Sequence, residues 1–123
     1  MKFQRESTEG RNTVTAYGPG WVEVNRARHT ESLVVGGDRV ITAWPAHSVE
    51  ALGADHLAAI LELKPEIVLL GTGEHLQFPG PALLAPLYKA GIGVEVMDTP
   101  AACRTYNILL GEGRNVIAAL IVG

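Results

Sequence analysis

The sequence predicts an α/β fold: a single three-layer domain with a central mixed, mostly parallel sheet, helices on both faces and β-hairpins at the amino end. Three observations carry that reading. From residue 54 onward, apolar residues at helical spacing alternate with short, continuous apolar runs, an order that gives parallel strands joined by right-handed crossovers. Before residue 45, short runs alternate apolar and polar residues and are broken by glycine, which is the hairpin signature. A chain of 123 residues, 47% hydrophobic and 19% charged, is large enough to bury one core, and residues 1 to 123 are expected to form one domain.

The elements follow in order. Residues 13 to 17 lead into Gly18-Pro19-Gly20, and WVEV at 21 to 24 alternates again, so the two predict an antiparallel hairpin. Residues 32 to 35 and 39 to 44 predict a second hairpin across Gly36-Gly37-Asp38. Pro45 ends its last strand, and the segment to Gly53 reads as loop or a single turn. Then the period changes. Asp55 supplies an acidic start, and Leu57, Ile60, Leu61 and Leu63 keep helical spacing up to Pro65. Residues 67 to 70 are continuously apolar and stop at Gly71, as in a strand covered on both faces. Pro81 suits a first helical turn, and Leu83, Leu84, Leu87 and Tyr88 form the expected buried stripe of a second helix closed by Gly91. Residues 94 to 97 predict another strand, Asp98 opens a third helix that runs through Leu110, and residues 115 to 122 predict the last strand.

Charge and composition narrow the functions. A net charge of −3, a pI near 5.8 and the lack of a Lys/Arg cluster interleaved with aromatics argue against nucleic acid as a partner. The longest apolar stretch, VIAALIV at 116 to 122, is far shorter than the roughly 20 residues that a membrane-spanning helix needs. MKFQRESTEGRN at the start has no apolar signal core and is not acid-poor like a transit sequence. Cys103 is the single cysteine, which excludes an intramolecular disulfide and a multi-cysteine metal site, so a reducing cytoplasm is the expected compartment. His29, His47 and His56 stand singly with no metal-ligand spacing and read as surface or capping residues, so neither a metal nor a cofactor is expected.

The chemistry-bearing residues gather at two strand exits. In open parallel sheets, ligands collect beyond the carboxyl ends of the strands. Gly71, Thr72 and Gly73, followed by His75, leave one strand there, and Asp98 and Thr99 leave another. If those strands are neighbours, a glycine-rich turn and a helix amino end share one cleft, which favours a small anionic ligand. The GTG turn completes neither a Walker A loop nor a GxGxxG fingerprint. Asp98 and Thr99 also have a purely structural reading as helix caps, with Pro100 at the first helical position. Along the same helix Thr99, Cys103 and Asn107 share one face. Cys103 has two readings, a nucleophile whose pKa the helix end and Arg104 would lower, and a small buried hydrophobe. Trp21, Trp44 and Phe78 are core residues or an exposed patch, and exposure would favour a protein partner. Arg114 is expected at the negative end of the third helix, beside left-handed glycine caps.

LLGTG at 69 to 73, GIGVEVMDTPAACRTYNIL at 91 to 109 and EGRNVIAALIV at 112 to 122 resemble the small α/β family of unassigned function that includes the mitochondrial respiratory complex I assembly factor 3. The resemblance begins at the AYGPGWVEV hairpin and covers most of the chain. It implies a three-layer fold around a mixed sheet, no assigned catalytic reaction and a mode of action through binding other proteins. The presequence of that mitochondrial member is not seen here, which leads us to expect a bacterial cytoplasmic protein. Two functional expectations result. The first is a non-enzymatic binding or assembly protein with a protein partner. The second is a small-anion site or enzyme in the cleft, with Gly71, Thr72 and Gly73 holding the anion, Asp98, Thr99, Arg104 and Asn107 orienting it, and Cys103 or His75 supplying reactivity.

Overall fold

A computed structural model of the chain describes residues 10 to 123. Residues 1 to 9, the bulk of the segment read above for targeting signals, lie outside the described residues. Two sheets form. The small one is antiparallel, with β1 (Val14–Gly18), β2 (Trp21–Val24) and β3 (Ala27–His29) in that order. The larger is built from β4 (Leu33–Gly36), β5 (Arg39–Ile41), β6 (Ile67–Gly71), β7 (Gly93–Met97) and β8 (Val116–Leu120), in the spatial order β5-β4-β8-β6-β7. Three helices complete the described residues: α1 (Ala54–Leu61), α2 (Pro81–Lys89) and α3 (Thr99–Gly111).

The mixed character of the large sheet has a local cause. β7, β6 and β8 are separated by helices and pair in parallel, whereas the β4–β5 hairpin docks β4 antiparallel on β8. Parallel pairing is therefore confined to one half of the sheet. Side-chain alternation then sorts the core into two layers. Val34, Val68, Leu70, Ile117 and Ala119 face α1 and α2 through Leu57, Ile60, Leu84 and Leu87. Leu33, Val35, Leu69, Ala118 and Leu120 face the other way, onto Ala102, Cys103, Tyr106 and Leu110 of α3 and onto Val14, Val22 and Val24 of the small sheet.

Several local expectations change. β3 was not visible in the sequence, because ARH is short and mostly exposed with no apolar alternation, and the turn before it uses Asn25 and Arg26, at φ 52° and 69°, instead of glycine. The strand expected over residues 39 to 44 stops at Ile41. Ala43 adopts φ 53°, which turns Trp44 into the core, and the Trp44 amide donates to the Ser32 carbonyl. Tyr88 is exposed, so the buried stripe of α2 is Leu84 and Leu87 with Leu83 half-buried. His56 does cap: its Nδ1 accepts from the Gly53 amide at 2.9 Å. Arg114 leaves the end of α3 and places its guanidinium on Glu66, with Nε and Nη2 at 3.0 and 2.7 Å from one carboxylate oxygen. Beyond α3, Gly113 takes the left-handed conformation at φ 80°.

Candidate functional site

β6, β7 and β8 end together, with Gly71 level with both Met97 and Leu120. The chain crosses itself closely at that edge. A side chain on Gly71 would place Cβ 2.9 Å from Thr99 Oγ1, 3.0 Å from Thr99 Cα and 3.1 Å from Leu120 Cδ2, so only glycine lets α3 start this near the sheet. Thr99 then ties three segments together. Its hydroxyl accepts from the Gly73 amide and donates to the Ile121 carbonyl, both at 2.8 Å, and its own amide donates to the Gly73 carbonyl at 2.8 Å. Thr72 is tied as firmly: its amide donates to the Met97 carbonyl, and its hydroxyl donates to the His75 carbonyl at 2.7 Å and accepts from the Gln77 amide at 3.2 Å.

Asp98 is the helix cap. Its carboxylate accepts from the Ala101 amide at 2.8 Å, and its carbonyl accepts from the Ala102 amide. Thr99 N–H is already engaged and Pro100 has none. Every donor of the first turn of α3 thus has a partner within the protein, next to a carboxylate that repels anions.

Beside this junction lies a concavity of about 620 Å3. Thr72, Gly73, His75, Thr99 and Pro100 line it from the sheet edge, Tyr17 to Trp21 from the β1–β2 turn, and His47 and Val49 from the loop before α1. The sequence-selected residues are accordingly divided. Thr72, Gly73 and Thr99 meet at the cleft with His75, and Gly71 sits behind them. Arg104 reaches the rim indirectly, through a 2.9 Å hydrogen bond from Nη1 to the hydroxyl of Tyr17. Asn107 is elsewhere, with its side-chain amide pairing the backbone N–H and C=O of Val14 at 3.0 and 2.7 Å.

Cys103 is fully buried in the layer between α3 and the sheet. Burial pushes its thiol up to about 12, against the weaker opposing pull of Arg104. Of the two readings of Cys103, the geometry fits the small buried hydrophobe and not the nucleophile activated by the helix end and Arg104: desolvation wins because the sulfur points into the core. Among the described residues, no group of three or more His, Cys, Asp or Glu side chains suits a metal ion, and no helix is long and apolar enough to cross a membrane.

Sequence reasoning did not place Tyr17, Trp21 or His47 at the cleft, because the hairpin folding over the start of α3 is a long-range event with no local signal. The Trp21 ring packs where a Gly18 Cβ would be, and the Arg28 guanidinium lies 3.8 Å above the ring. Phe78 resolves the earlier ambiguity about the aromatics: it is 69% exposed, and Leu76 in the same loop is 54% exposed, whereas Trp44 is core.

The fold and site can be set beside known proteins. A family model described as "Protein of unknown function (DUF498/DUF598)" matches residues 14–121. The "13 kDa major membrane protein" of Francisella tularensis is 30% identical over 122 residues, covering 98% of this chain and 99% of its own. The "NADH dehydrogenase [ubiquinone] 1 alpha subcomplex assembly factor 3" of Bos taurus is 36% identical over 104 residues, which are 75% of this chain but 56% of that protein. The chain therefore spans little more than half of that assembly factor. A solution structure of a Bordetella pertussis protein, described as a Mth938-like domain, superposes with a TM-score of 0.81 at 35% identity, covering 98% of this chain and 91% of that one.

Proposed function

The chain belongs to the DUF498/DUF598 family, and from that premise we propose that it is a non-enzymatic binding protein of the assembly type, which holds a protein partner at the carboxyl-edge cleft. The observation that carries this reading is the pair Leu76 and Phe78. Both are large apolar side chains left in solvent on the loop whose His75 and Gln77 line the cleft, and exposed large apolar side chains near a concavity are what a protein partner uses. The family includes proteins named as NADH dehydrogenase assembly factors, which supports an assembly role without specifying what is assembled. The competing reading, a small anion held by the GTG turn and the start of α3, needs amide donors that Asp98, Thr99 and the Gly73 carbonyl already occupy. The buried thiol of Cys103 likewise offers no accessible nucleophile. A chain with one cysteine and no disulfide accords with a cytoplasmic location, which fractionation of tagged cells checks.

The test is a native pull-down with the tagged chain, in parallel with the double variant Leu76→Ser, Phe78→Ser. Both positions are exposed, so the variant should fold with stability within about 0.5 kcal/mol of the parent. A partner recovered by the parent and lost by the variant supports the reading. Recovery of nothing, or equal recovery by both, removes it. If nothing is recovered, a thermal-shift screen against small metabolites becomes the next experiment, because a ligand at about 100 times its Kd raises stability by about 2.7 kcal/mol.

A further inference from the structure

At the far end of β8 from the cleft, the β4–β5 turn, the end of α1 and the α3–β8 loop enclose a second groove, of about 500 Å3. Its chemistry is different. Arg11, Arg39 and Arg114 line it together, in a chain whose net charge is −3. We propose that this groove is a binding site for a phosphate group.

The placement of the three arginines supports the assignment. Gly37 is buried, and a Cβ there would lie 2.7 Å from the Arg11 guanidinium carbon, so that guanidinium packs directly against the turn. The backbone beside it is fixed as well: the Asn12 amide donates to the Gly37 carbonyl, Asn12 Nδ2 donates to the Gly36 carbonyl at 2.9 Å, and the buried Tyr106 donates its hydroxyl to the Asn12 carbonyl at 2.7 Å. The backbone that carries Arg11 is therefore anchored next to the groove, which reduces the ordering that binding requires.

Arg114 already holds an oxyanion, the Glu66 carboxylate, through Nε and Nη2. Both side chains of that pair are 40 to 50% exposed, so the contact is weak and exchangeable. Among the described residues Arg39 has a single ion-pair contact, 3.9 Å from Asp38, and it is half exposed. Asp38, Glu66 and Glu112 all lie near the arginines and oppose an anion, and a carboxylate ligand with one charge would gain little over Glu66. A phosphate monoester brings about −1.5 to −2 charge and three acceptor oxygens, which match three guanidinium forks. A groove of about 500 Å3 leaves room for a small organic group beyond the phosphate.

The experiment is an amide chemical-shift titration of the full chain with inorganic phosphate, against sodium chloride at matched ionic strength. Saturable shifts at Gly37, Asp38, Arg39 and Arg114 are expected by about 10 mM phosphate, a range that suits a single small anion. Arg39→Gln and Arg11→Gln should each weaken the response by about tenfold, while Arg104→Gln, beside the other cleft, should leave it unchanged. Parent-like amide dispersion in Arg39→Gln, whose site is at the surface, separates loss of binding from loss of fold. A sedimentation arm with phosphatidylcholine vesicles, with and without phosphatidic acid, identifies the source of the phosphate. Arginine-dependent sedimentation only with phosphatidic acid assigns a lipid headgroup, and saturable phosphate binding without sedimentation assigns a soluble ester. No saturable shift, a shift that chloride reproduces, or undiminished binding by both arginine variants would overturn the proposal.

Discussion

Thr99 is the residue in which local and long-range roles coincide. By sequence it is a helix-start threonine next to an aspartate, and the capping half of that reading is local and was legible: Asp98 does cap, and Pro100 does sit in the first turn. Its second role was not legible, because its hydroxyl partners are the amide of Gly73 and the carbonyl of Ile121, on two other strand exits. Thr99→Val removes the hydroxyl at nearly constant shape and strands the buried Ile121 carbonyl and the half-buried Gly73 amide, which should lower stability by about 2 kcal/mol. Thr99→Ser keeps both hydrogen bonds and loses one methyl, a change of about 1 kcal/mol. Chemical denaturation of the two variants separates the effects, and equal losses would mean that the methyl packing, not the knot, matters. Cys103 makes the same point from the opposite side. Its type and position left two readings open, a reactive thiol and a small buried hydrophobe, because the register that points it into the core depends on where α3 lies on the sheet, which no neighbour in sequence encodes.

Among elements, those whose residues make their own case were readable. The three helices, both hairpins and the buried strands β6 and β8 follow from periodicity and breakers within each segment. β3 and the docking of the small sheet do not, because a mostly exposed three-residue strand has little apolar pattern and the sheet is attached through contacts remote in sequence, among them the side chains of Arg104 and Asn107. Asn107 on α3 completes β1 as a neighbouring strand would, by accepting from Val14 N–H and donating to Val14 C=O. It does so where the β1–β2 register shifts between Val14 and Ala16 and the ladder is locally irregular. Asn107→Ala leaves both backbone groups without that partner and should destabilise the fold by about 2 kcal/mol. Hydrogen exchange gives the sharper readout: the Val14 amide should lose protection while Val68 in β6 keeps it. If Val14 exchanges at the parental rate, β1 is held by its own ladder and by Val14 packing, and the Asn107 contacts are incidental. Asn107→Asp discriminates further, since a carboxylate accepts from Val14 N–H but cannot donate to Val14 C=O.

For the molecule as a whole, the layer joining α3, the small sheet and the large sheet sets an alkaline limit on stability. It contains two ionisable groups that must stay neutral, Cys103 and Tyr106, both with no exposed surface. Burial pushes the Cys103 thiol from 9.0 up to about 12 and moves the Tyr106 phenol above its ordinary 10.0 despite the nearby Arg11. The sign follows from proton counting. Below pH 9 the thiol is protonated in folded and unfolded chains alike, and its contribution is fully present. Between pH 9 and about 12 only the unfolded chain releases the proton, so stability falls as pH rises. Tyr106 adds a loss of the same sign that begins near pH 10. Urea midpoints of the parent should therefore drop steadily above pH 9. Cys103→Ala supplies the control: it should start about 1 kcal/mol less stable from the lost sulfur packing, yet fall less steeply between pH 9 and 10, where the thiol acts and the phenol scarcely does. Comparing slopes cancels the lysines and other groups common to both proteins. Parallel curves for the two would show that Cys103 ionises as easily in the folded chain as in the unfolded one, contrary to a sealed core. Because these side chains touch every layer on that side of the sheet, the loss should be seen as one cooperative transition and not as the opening of a single loop.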